Sequence, residues 1–184
     1  ALGWAGDHVE PGVSLRNKDR DESNALNILS CIGYRARVIS GDAKGEIGIV
    51  TGKHGGIEHV LIAFPERVLE RLNIGDKIQI ESYGQGMEIL NFPEIKVMNI
   101  SPDLFSLLNI KEDNNGLKIG VRKVIPAELM GSGIGSASSF SGDYDIMTQD
   151  RETLRELGLE DLKLGDIVGI KDMDDRYGRT YKKG

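Results

Sequence analysis

The region from residue 36 to residue 64 constrains the fold most, because apolar and polar residues alternate there in three short segments. The segments read ARVISG, EIGIVTG and EHVLIAF, and glycine-rich turns separate them. A period of two is typical of strands that bury one face of a sheet. The whole chain contains 24 glycines in 184 residues, which favours many turns and therefore short strands. The sequence predicts a mainly β protein.

A few short helices are predicted between the strands. One begins near Asp21 and ends at Gly33, with apolar residues from Ala25 to Ile32 along one stripe. Ser101 followed by Pro102 is typical of a helix start and predicts a helix over 102–109. Two more helical segments are predicted, a turn or two over 65–72 and a compact helix from 150 to 158. Further strands are predicted at 77–82, 116–125 and 166–172.

A twelve-residue pattern occurs twice in the chain. LERLNIGDKIQI at 69–80 matches LEDLKLGDIVGI at 159–170, and each copy combines the end of a helix, a Gly-Asp turn and a strand. Such a unit is also a common entry into small β-barrels. The repeat predicts two related β modules, residues 1–100 and residues 101–184, each built as a small barrel.

Residues 37–52 resemble the KOW motif of ribosomal and transcription proteins. The resemblance implies a tight hairpin in a small SH3-like barrel, and it predicts that Gly45→Val and Gly48→Val each impair folding. KOW loops that bind RNA carry basic or aromatic residues. Here Asp42 and Glu46 lie beside Lys44, so the motif indicates barrel geometry more than RNA binding.

Charge and cysteine content narrow the function classes. Lysine and arginine number 23 against 29 aspartates and glutamates, a formal charge of −6, so we expect weak or no binding to duplex DNA. No apolar run is long enough to span a membrane. Cys31 is the single cysteine, which rules out an internal disulfide, predicts a buried thiol and favours a cytoplasmic protein. The chain starts without methionine, and we expect a processed chain or a fragment.

Two polar segments are candidate sites. In GDHVEPG, Asp7, His8 and Glu10 combine an imidazole with carboxylates, the groups that bind zinc, manganese or non-haem iron and that act in acid–base catalysis. They are the candidate catalytic residues, although a turn histidine bonded to a neighbouring carboxylate would give the same pattern. His8 and Glu10 are also candidate metal ligands, together with His54 and Asp143.

The second segment, GSGIGSASSFSGDYD at 131–145, has glycines and hydroxyls but no basic residue, so it does not suit phosphate. Its apolar side chains favour an ordered loop that delivers Asp143 and Asp145 to one face at the start of a strand. Ser141, Asp143 and Asp145 are the candidate ligand-binding residues. An aspartate turn exposed to solvent is the alternative. We expect this loop to meet the GDHVEPG turn and His54 around one cleft.

The segments GWAGDHVEPGVSLRNKD, NALNILSCIG, VISGDAKGEIGIVTGKHGGIEHVLI and LMGSGIGSASSFSGDYDI, together with YGQG, KVMNI and RYGRTYKKG, resemble domain-of-unknown-function family 4438. This is an uncharacterised prokaryotic family known mainly through structural genomics. The resemblance implies a mostly β protein of small barrels and implies no activity. SGDYDIMTQD followed by LKLGDIVGI is also similar to the strand entry of the acetamidase and formamidase family, which are metal-associated amidases.

These patterns predict a small-molecule-binding β-barrel protein, with a metal-assisted hydrolase of the amidase type as the sharper hypothesis and a divalent metal as its cofactor. A bound metal would make a water nucleophilic near neutral pH. The alternative is a non-catalytic SH3-like or KOW-like module that binds RNA or protein. The sequence leaves open whether the protein is an enzyme and whether it forms a homo-oligomer.

Overall fold

The computed structural model describes residues 11–55, 59–114, 116–131, 140–146 and 149–171. Strands predominate in these ranges and the helices are short, so the prediction of a mainly β protein is confirmed. The strands are β1 (Val13–Leu15), β2 (Arg35–Val38), β3 (Ile47–His54), β4 (His59–Ala63), β5 (Ile78–Ile80), β6 (Lys111–Asp113), β7 (Gly116–Lys118), β8 (Lys123–Ile125) and β9 (Val168–Ile170). The helices are α1 (Arg20–Leu29), α2 (Glu66–Leu69), α3 (Pro102–Leu107) and α4 (Arg151–Glu156), with a 3-10 turn at Ala127–Leu129.

Strands β1 to β5 form an antiparallel sheet in the order β1-β4-β3-β2-β5, curled into a half-barrel. Ala36 of β2 pairs with Gly48 of β3 on one side and with Ile80 of β5 on the other. Two smaller sheets follow, an antiparallel pair β6-β7 and a parallel pair β8-β9. The division into modules at residue 101 stays a prediction.

The main core lies inside the curl of the five-stranded sheet. Alternation along β2 and β4 buries Ala36, Val38, Val60 and Ile62 completely, as expected when the inner face of each strand is apolar. The buried residues of this core are Cys31, Tyr34, Ala36, Val38, Ala43, Val50, Val60, Ile62, Phe64 and Val68. A smaller core of Ile125, Met130 and Leu159 lies under β8.

A bulge in β3 changes which side chains face this core. Val50 pairs with Ile62 of β4 and Gly52 pairs with Leu61, so Thr51 is the extra residue between them. Gly48 and Val50 are buried on the inner face, and after the bulge the next buried position is Lys53 rather than residue 52. An extra residue in one strand is a known way of redirecting the side chains that follow. The bulge therefore turns a lysine inward.

The two copies of the repeated pattern have the same turn geometry. Gly75 and Gly165 have φ of 98° and 96°, values that favour glycine. The carboxylate of Asp76 accepts the Asn73 amide at 2.9 Å, and Asp166 repeats this contact with the Lys163 amide at 2.9 Å. The strands that follow differ in partner, because β5 pairs antiparallel with β2 whereas β9 pairs parallel with β8.

Several predicted elements differ from the observed ones. Helix α1 buries Ser23 and Asn27, while Ile28 and Leu29 of its expected apolar stripe are exposed. The predicted strand over 116–125 is wrong, because residues 119–122 separate β7 from β8. Helix α3 ends at Leu107, two residues early. None of the helices in the described ranges is long and apolar enough to cross a membrane.

Candidate functional site

Lys53, near the end of β3, is the most unusual charged side chain of the described structure. Only 7% of it is exposed. Its Nζ donates hydrogen bonds to the side-chain oxygen of Asn99, at 2.8 Å, and to the backbone carbonyl of Phe140. Both acceptors are neutral, and among the described residues no carboxylate forms an ion pair with Lys53. Within the described ranges, Lys53 is thus a buried ammonium without an ion-pair partner from Asp or Glu.

Burial lowers the pKa of Lys53 to about 8, because the charged ammonium loses its hydration. Among the described residues, Cys31 has the opposite effect and raises the Lys53 pKa. Cys31 lies just beyond the end of α1 and is 6% exposed, so the prediction of a buried thiol is confirmed.

Tyr34 completes a polar cluster with Cys31, Lys53 and Asn99. The pKa of Tyr34 is raised to about 12, because burial and the neighbouring Cys31 raise it more than the Tyr83 carbonyl, which accepts a hydrogen bond from the Tyr34 hydroxyl, lowers it. The rings of Tyr34 and Tyr83 lie 5.3 Å apart. Tyr34 and Cys31 both belong to the buried residues of the main core.

A cavity of about 150 Å³ opens beside this cluster. Its wall is mostly apolar, and it includes three neighbours of the Lys53 ammonium, namely Cys31, Asn99 and Phe140. The other lining residues are Ile28, Leu29, Gly84, Gln85, Gly86, Met87, Val97, Met98 and Ile100. A second cavity of about 230 Å³ shares five lining residues with the first, namely Gly86, Met87, Val97, Met98 and Phe140. A positive charge therefore lies directly behind the wall of an apolar space.

The segment 140–146 joins this site to the C-terminal half of the chain. Phe140 accepts from Lys53, and the Asp143 carboxylate accepts the backbone amide of Gly55 at 2.6 Å. At the other end of the segment, Ile146 forms a β-bridge with Met130. We call residues 53–55 together with 140–146 the junction. It fixes the end of β3 against the loop that the sequence singled out.

At the junction, Asp143 lies close to two other candidate residues. Burial raises the pKa of Asp143, the Gly55 amide lowers it, the Asp145 carboxylate raises it and His54 lowers it. His54, Asp143 and Asp145 thus lie within electrostatic reach of one another. The strand start expected at Asp143 is absent from the described residues, since only Ile146 pairs there. Ser141, the remaining ligand candidate, is buried.

Asp7, His8 and Glu10 lie outside the described residues, so their meeting with the junction stays a prediction. Within the described ranges, no group of three or more His, Cys, Asp or Glu side chains is arranged to hold a metal ion. Sequence reasoning noted Cys31 only as a core residue and overlooked Lys53 and Asn99. An isolated lysine in TGKHGG carries no signal of burial, because simple alternation after Val50 would have placed it on the outer face.

We expect Asp143→Asn to flatten the dependence of stability on pH in mildly acidic solution. Because burial raises the pKa of Asp143 in the fold, the folded state binds this proton more tightly than the unfolded chain. The ordinary pKa of the group is 3.8, and its pKa in the fold is higher. The stabilisation that the bound proton gives the wild type is therefore complete below pH 3.8 and is lost as the pH rises through the pKa of the folded state. Urea unfolding of both proteins at pH 4 to 7 measures the difference. Equal slopes would contradict the buried position of the carboxylate, and Asp42→Asn is an exposed control.

Known protein families and solved structures are similar to this protein along nearly its whole length. Residues 1–106 match the family model described as "Domain of unknown function (DUF4438), N-terminal", and residues 107–184 match its C-terminal counterpart. The crystal structure of TM1086 is similar, with a TM-score of 0.90 and 55% identity over 99% of this chain. This chain spans 64% of the length of that one. No curated protein matches. Because the two models together extend from residue 1 to residue 184 and carry no assigned activity, the chain belongs to the DUF4438 family of unknown function.

Proposed function

We propose that the protein binds a small monocarboxylate with a short apolar body in the cavity beside Lys53. The observation that carries the proposal is the buried Lys53 ammonium, which has two neutral acceptors and lies behind a wall of mostly apolar residues. An ammonium in such surroundings is costly unless an anion compensates it. A carboxylate entering the cavity supplies that charge.

The walls select the rest of the ligand. Ile28, Met87, Val97 and Ile100 offer aliphatic surface, which favours hydrocarbon over further charged groups. A volume of about 150 Å³ corresponds to roughly five water molecules of liquid. The expected ligands therefore contain about five or six non-hydrogen atoms, as in butanoate, and the adjoining cavity leaves room for a longer tail.

Butanoate binding tests the proposal. Calorimetric titration should give a Kd of about 1 mM or tighter, equivalent to roughly −4 kcal/mol, whereas butylamine and 1-butanol should bind much more weakly. Val97→Phe, which fills the cavity, should abolish binding, and Leu107→Phe, at an exposed position on α3 outside the cavity wall, is the matched control. Equal affinity for butanoate and butylamine would overturn the proposal.

Metal-assisted hydrolysis of the amidase type is a second proposal, supported by the neighbourhood of His54, Asp143 and Asp145 at the junction. Imidazole and carboxylate ligands suit a divalent cation, and His8 and Glu10 would complete the set if the GDHVEPG turn meets them. Titration with Zn²⁺, Mn²⁺ and Ca²⁺ tests it. Asp143→Asn or Asp145→Asn should weaken binding. A wild type that binds none of the three ions excludes this proposal and leaves the carboxylate proposal standing.

A non-catalytic SH3-like or KOW-like module remains the alternative, and the charges of the sheet argue against a nucleic-acid partner. Arg37 pairs with Glu81 at 3.0 Å, and Arg67 and Arg71 both pair with Glu46 at 3.0 Å. We expect duplex DNA and mixed RNA to bind with a Kd weaker than about 100 µM at physiological salt. Fluorescence anisotropy at low and high salt measures this. A tight complex that weakens steeply with salt would favour the RNA module.

We also propose that the protein is located in the cytoplasm, where Cys31 would stay reduced.

A further inference from the structure

We propose that His54 and His59 form a metal site, in which one imidazole from β3 and one from β4 hold a single divalent transition-metal ion. The observation that carries the inference is the strand register, since His54 is the direct antiparallel partner of His59. Directly opposite residues of an antiparallel pair have Cβ atoms about 4.5–5.5 Å apart and lie on the same face of the sheet. The inference is independent of the butanoate proposal. We call the two residues the histidine pair.

The histidine pair lies on the outer face of the curled sheet. The adjacent residues Lys53 and Val60 are buried on the inner face, whereas His54 and His59 are only partly buried. Successive side chains of a strand alternate between the two faces. The two imidazoles therefore lie side by side at a position that an ion from solvent can reach.

The bulge in β3 creates the histidine pair. A regular strand continued from the residue pairs before the bulge would place Lys53 opposite His59. Because Thr51 is the extra residue, the pairing moves by one position, and His54 lies opposite His59 instead. An ammonium has no lone pair to give a metal ion, whereas a neutral imidazole has one. The bulge thus replaces a residue that repels a cation by one that can bind it.

The chemistry of two imidazoles suits Zn²⁺, Ni²⁺ and Cu²⁺. With Zn–N distances of roughly 2.0–2.1 Å, two nitrogens at a tetrahedral angle lie about 3.3–3.4 Å apart, a separation that rings on facing Cβ atoms can span. Each ring has two nitrogens. One of them can bind the metal while the other donates to a neighbouring carbonyl or carboxylate, as metal-bound histidines usually do.

The junction supports the histidine pair from one side. The carboxylate of Asp143 accepts the backbone amide of Gly55, directly after His54, at 2.6 Å. This contact fixes the end of β3 and places a group that can carry negative charge close to the pair, which favours a cation. Within the described ranges, no group of three His, Cys, Asp or Glu side chains is arranged around one ion. We therefore assign the remaining coordination positions to water, as in metal sites that exchange ligands.

Calorimetric titration with Ni²⁺, Zn²⁺ and Ca²⁺ tests the inference. The wild type should bind one Ni²⁺ or Zn²⁺ at the histidine pair, while Ca²⁺, which prefers oxygen ligands, should not compete. His54→Gln and His59→Gln should each weaken Ni²⁺ binding by about tenfold or more, and the double variant should lose little further, because the two ligands act as a unit. Arg35→Gln, exposed on the same sheet, is the matched control and should bind like the wild type.

Two results would overturn the inference. The first is undiminished Ni²⁺ binding by His59→Gln. The second is a pair of independent weak sites, one of which disappears in each single variant, since imidazoles that share no ion bind separately. Thermal unfolding gives another readout, because an ion that binds only the folded chain raises the melting temperature. Zn²⁺ should raise it in the wild type and in Arg35→Gln, and a similar rise in His59→Gln would contradict the site.

The same titrations separate the histidine pair from the amidase-type metal site. Asp143→Asn keeps both imidazoles and an oxygen for the Gly55 amide, so the histidine pair should still bind Ni²⁺ in this variant. Binding that depends on His59 but not on Asp143 or Asp145 would support the histidine pair and refute the amidase-type site. Binding that depends on Asp143 and Asp145 but not on His59 would do the reverse.

Discussion

Gly48→Val is expected to lower the free energy of unfolding by about 3 kcal/mol or more, which is above the usual range for a single substitution. Gly48 lies at the centre of the five-stranded sheet, paired with Ala36. A Cβ at this position would come within 2.6 Å of the Ala63 carbonyl oxygen and 2.7 Å of the Phe64 ring. The carbonyl belongs to the adjacent strand, so relief of the clash would require β3 and β4 to separate.

Urea or thermal unfolding of Gly48→Val measures this effect, and the melting temperature should fall by roughly 6 °C or more for a protein of this size. Gly45→Val is the informative comparison. Gly45 has no atom within 4 Å of an added Cβ but has φ of 95°, so its cost is conformational, roughly 1–2 kcal/mol. A Gly48→Val protein with unchanged melting temperature would refute the packing of β3 against β4. The sequence predicted both effects from the hairpin, but not their different causes.

Lys53→Met is expected to weaken butanoate binding by about tenfold to a hundredfold, because a hydrogen bond to a charged group contributes roughly 1.5–3 kcal/mol. The same variant should keep the unfolding free energy at pH 7 within about 1 kcal/mol of the wild type, as two effects oppose each other. Removing a buried ammonium is favourable. Leaving Asn99 and the Phe140 carbonyl without their shared donor is unfavourable.

The pH dependence distinguishes Lys53 from an ordinary exposed lysine. Because the pKa of Lys53 is lowered from 10.5 to about 8 in the fold, the cost of the buried charge is fully present below pH 8 and disappears as pH rises toward 10.5. Wild-type stability should therefore gain from this group between pH 8 and 10, and Lys53→Met should lack that gain. Above pH 10 the raised pKa of Tyr34 acts in the opposite direction. Unfolding curves at pH 7, 8.5 and 10 for wild type, Lys53→Met and Lys44→Met decide the point.

The residues around the cavity come from distant parts of the chain and are held together by a few contacts. Cys31 follows α1, Lys53 lies near the end of β3, Asn99 precedes α3 and Phe140 belongs to the junction. Two backbone bonds hold residue 32 in place, from the Ile32 amide to the Asn99 carbonyl and from the Ser101 amide to the Ile32 carbonyl, both 2.8 Å. Cys31, Asn99 and Phe140 line the cavity, and Lys53 is hydrogen-bonded to two of them, so we expect substitutions in these segments to affect the cavity.

The sequence by itself determined the local elements of this protein. Alternation between residues 36 and 64 predicted β2, β3 and β4, because one buried face requires a period of two. Ser101 caps α3 as predicted, and Asp150 caps α4 where the second helix was predicted to start, since short polar side chains accept the free amides of a first helical turn. The glycine of the repeated Gly-Asp pattern also indicated a turn with positive φ, because glycine adopts the left-handed backbone region readily.

Only the tertiary structure decided which polar groups meet. Strand alternation continued past Val50 would have put Lys53 in solvent, and the bulge at Thr51 turned it into the core instead. The helical pattern of α1 predicted that Ile28 and Leu29 are buried. In the structure both are exposed and line the cavity, while Asn27 is buried. A bulge, a cavity and a contact between residues 53 and 140 depend on how segments far apart in sequence pack. Neither residue type nor spacing along the chain carries that information.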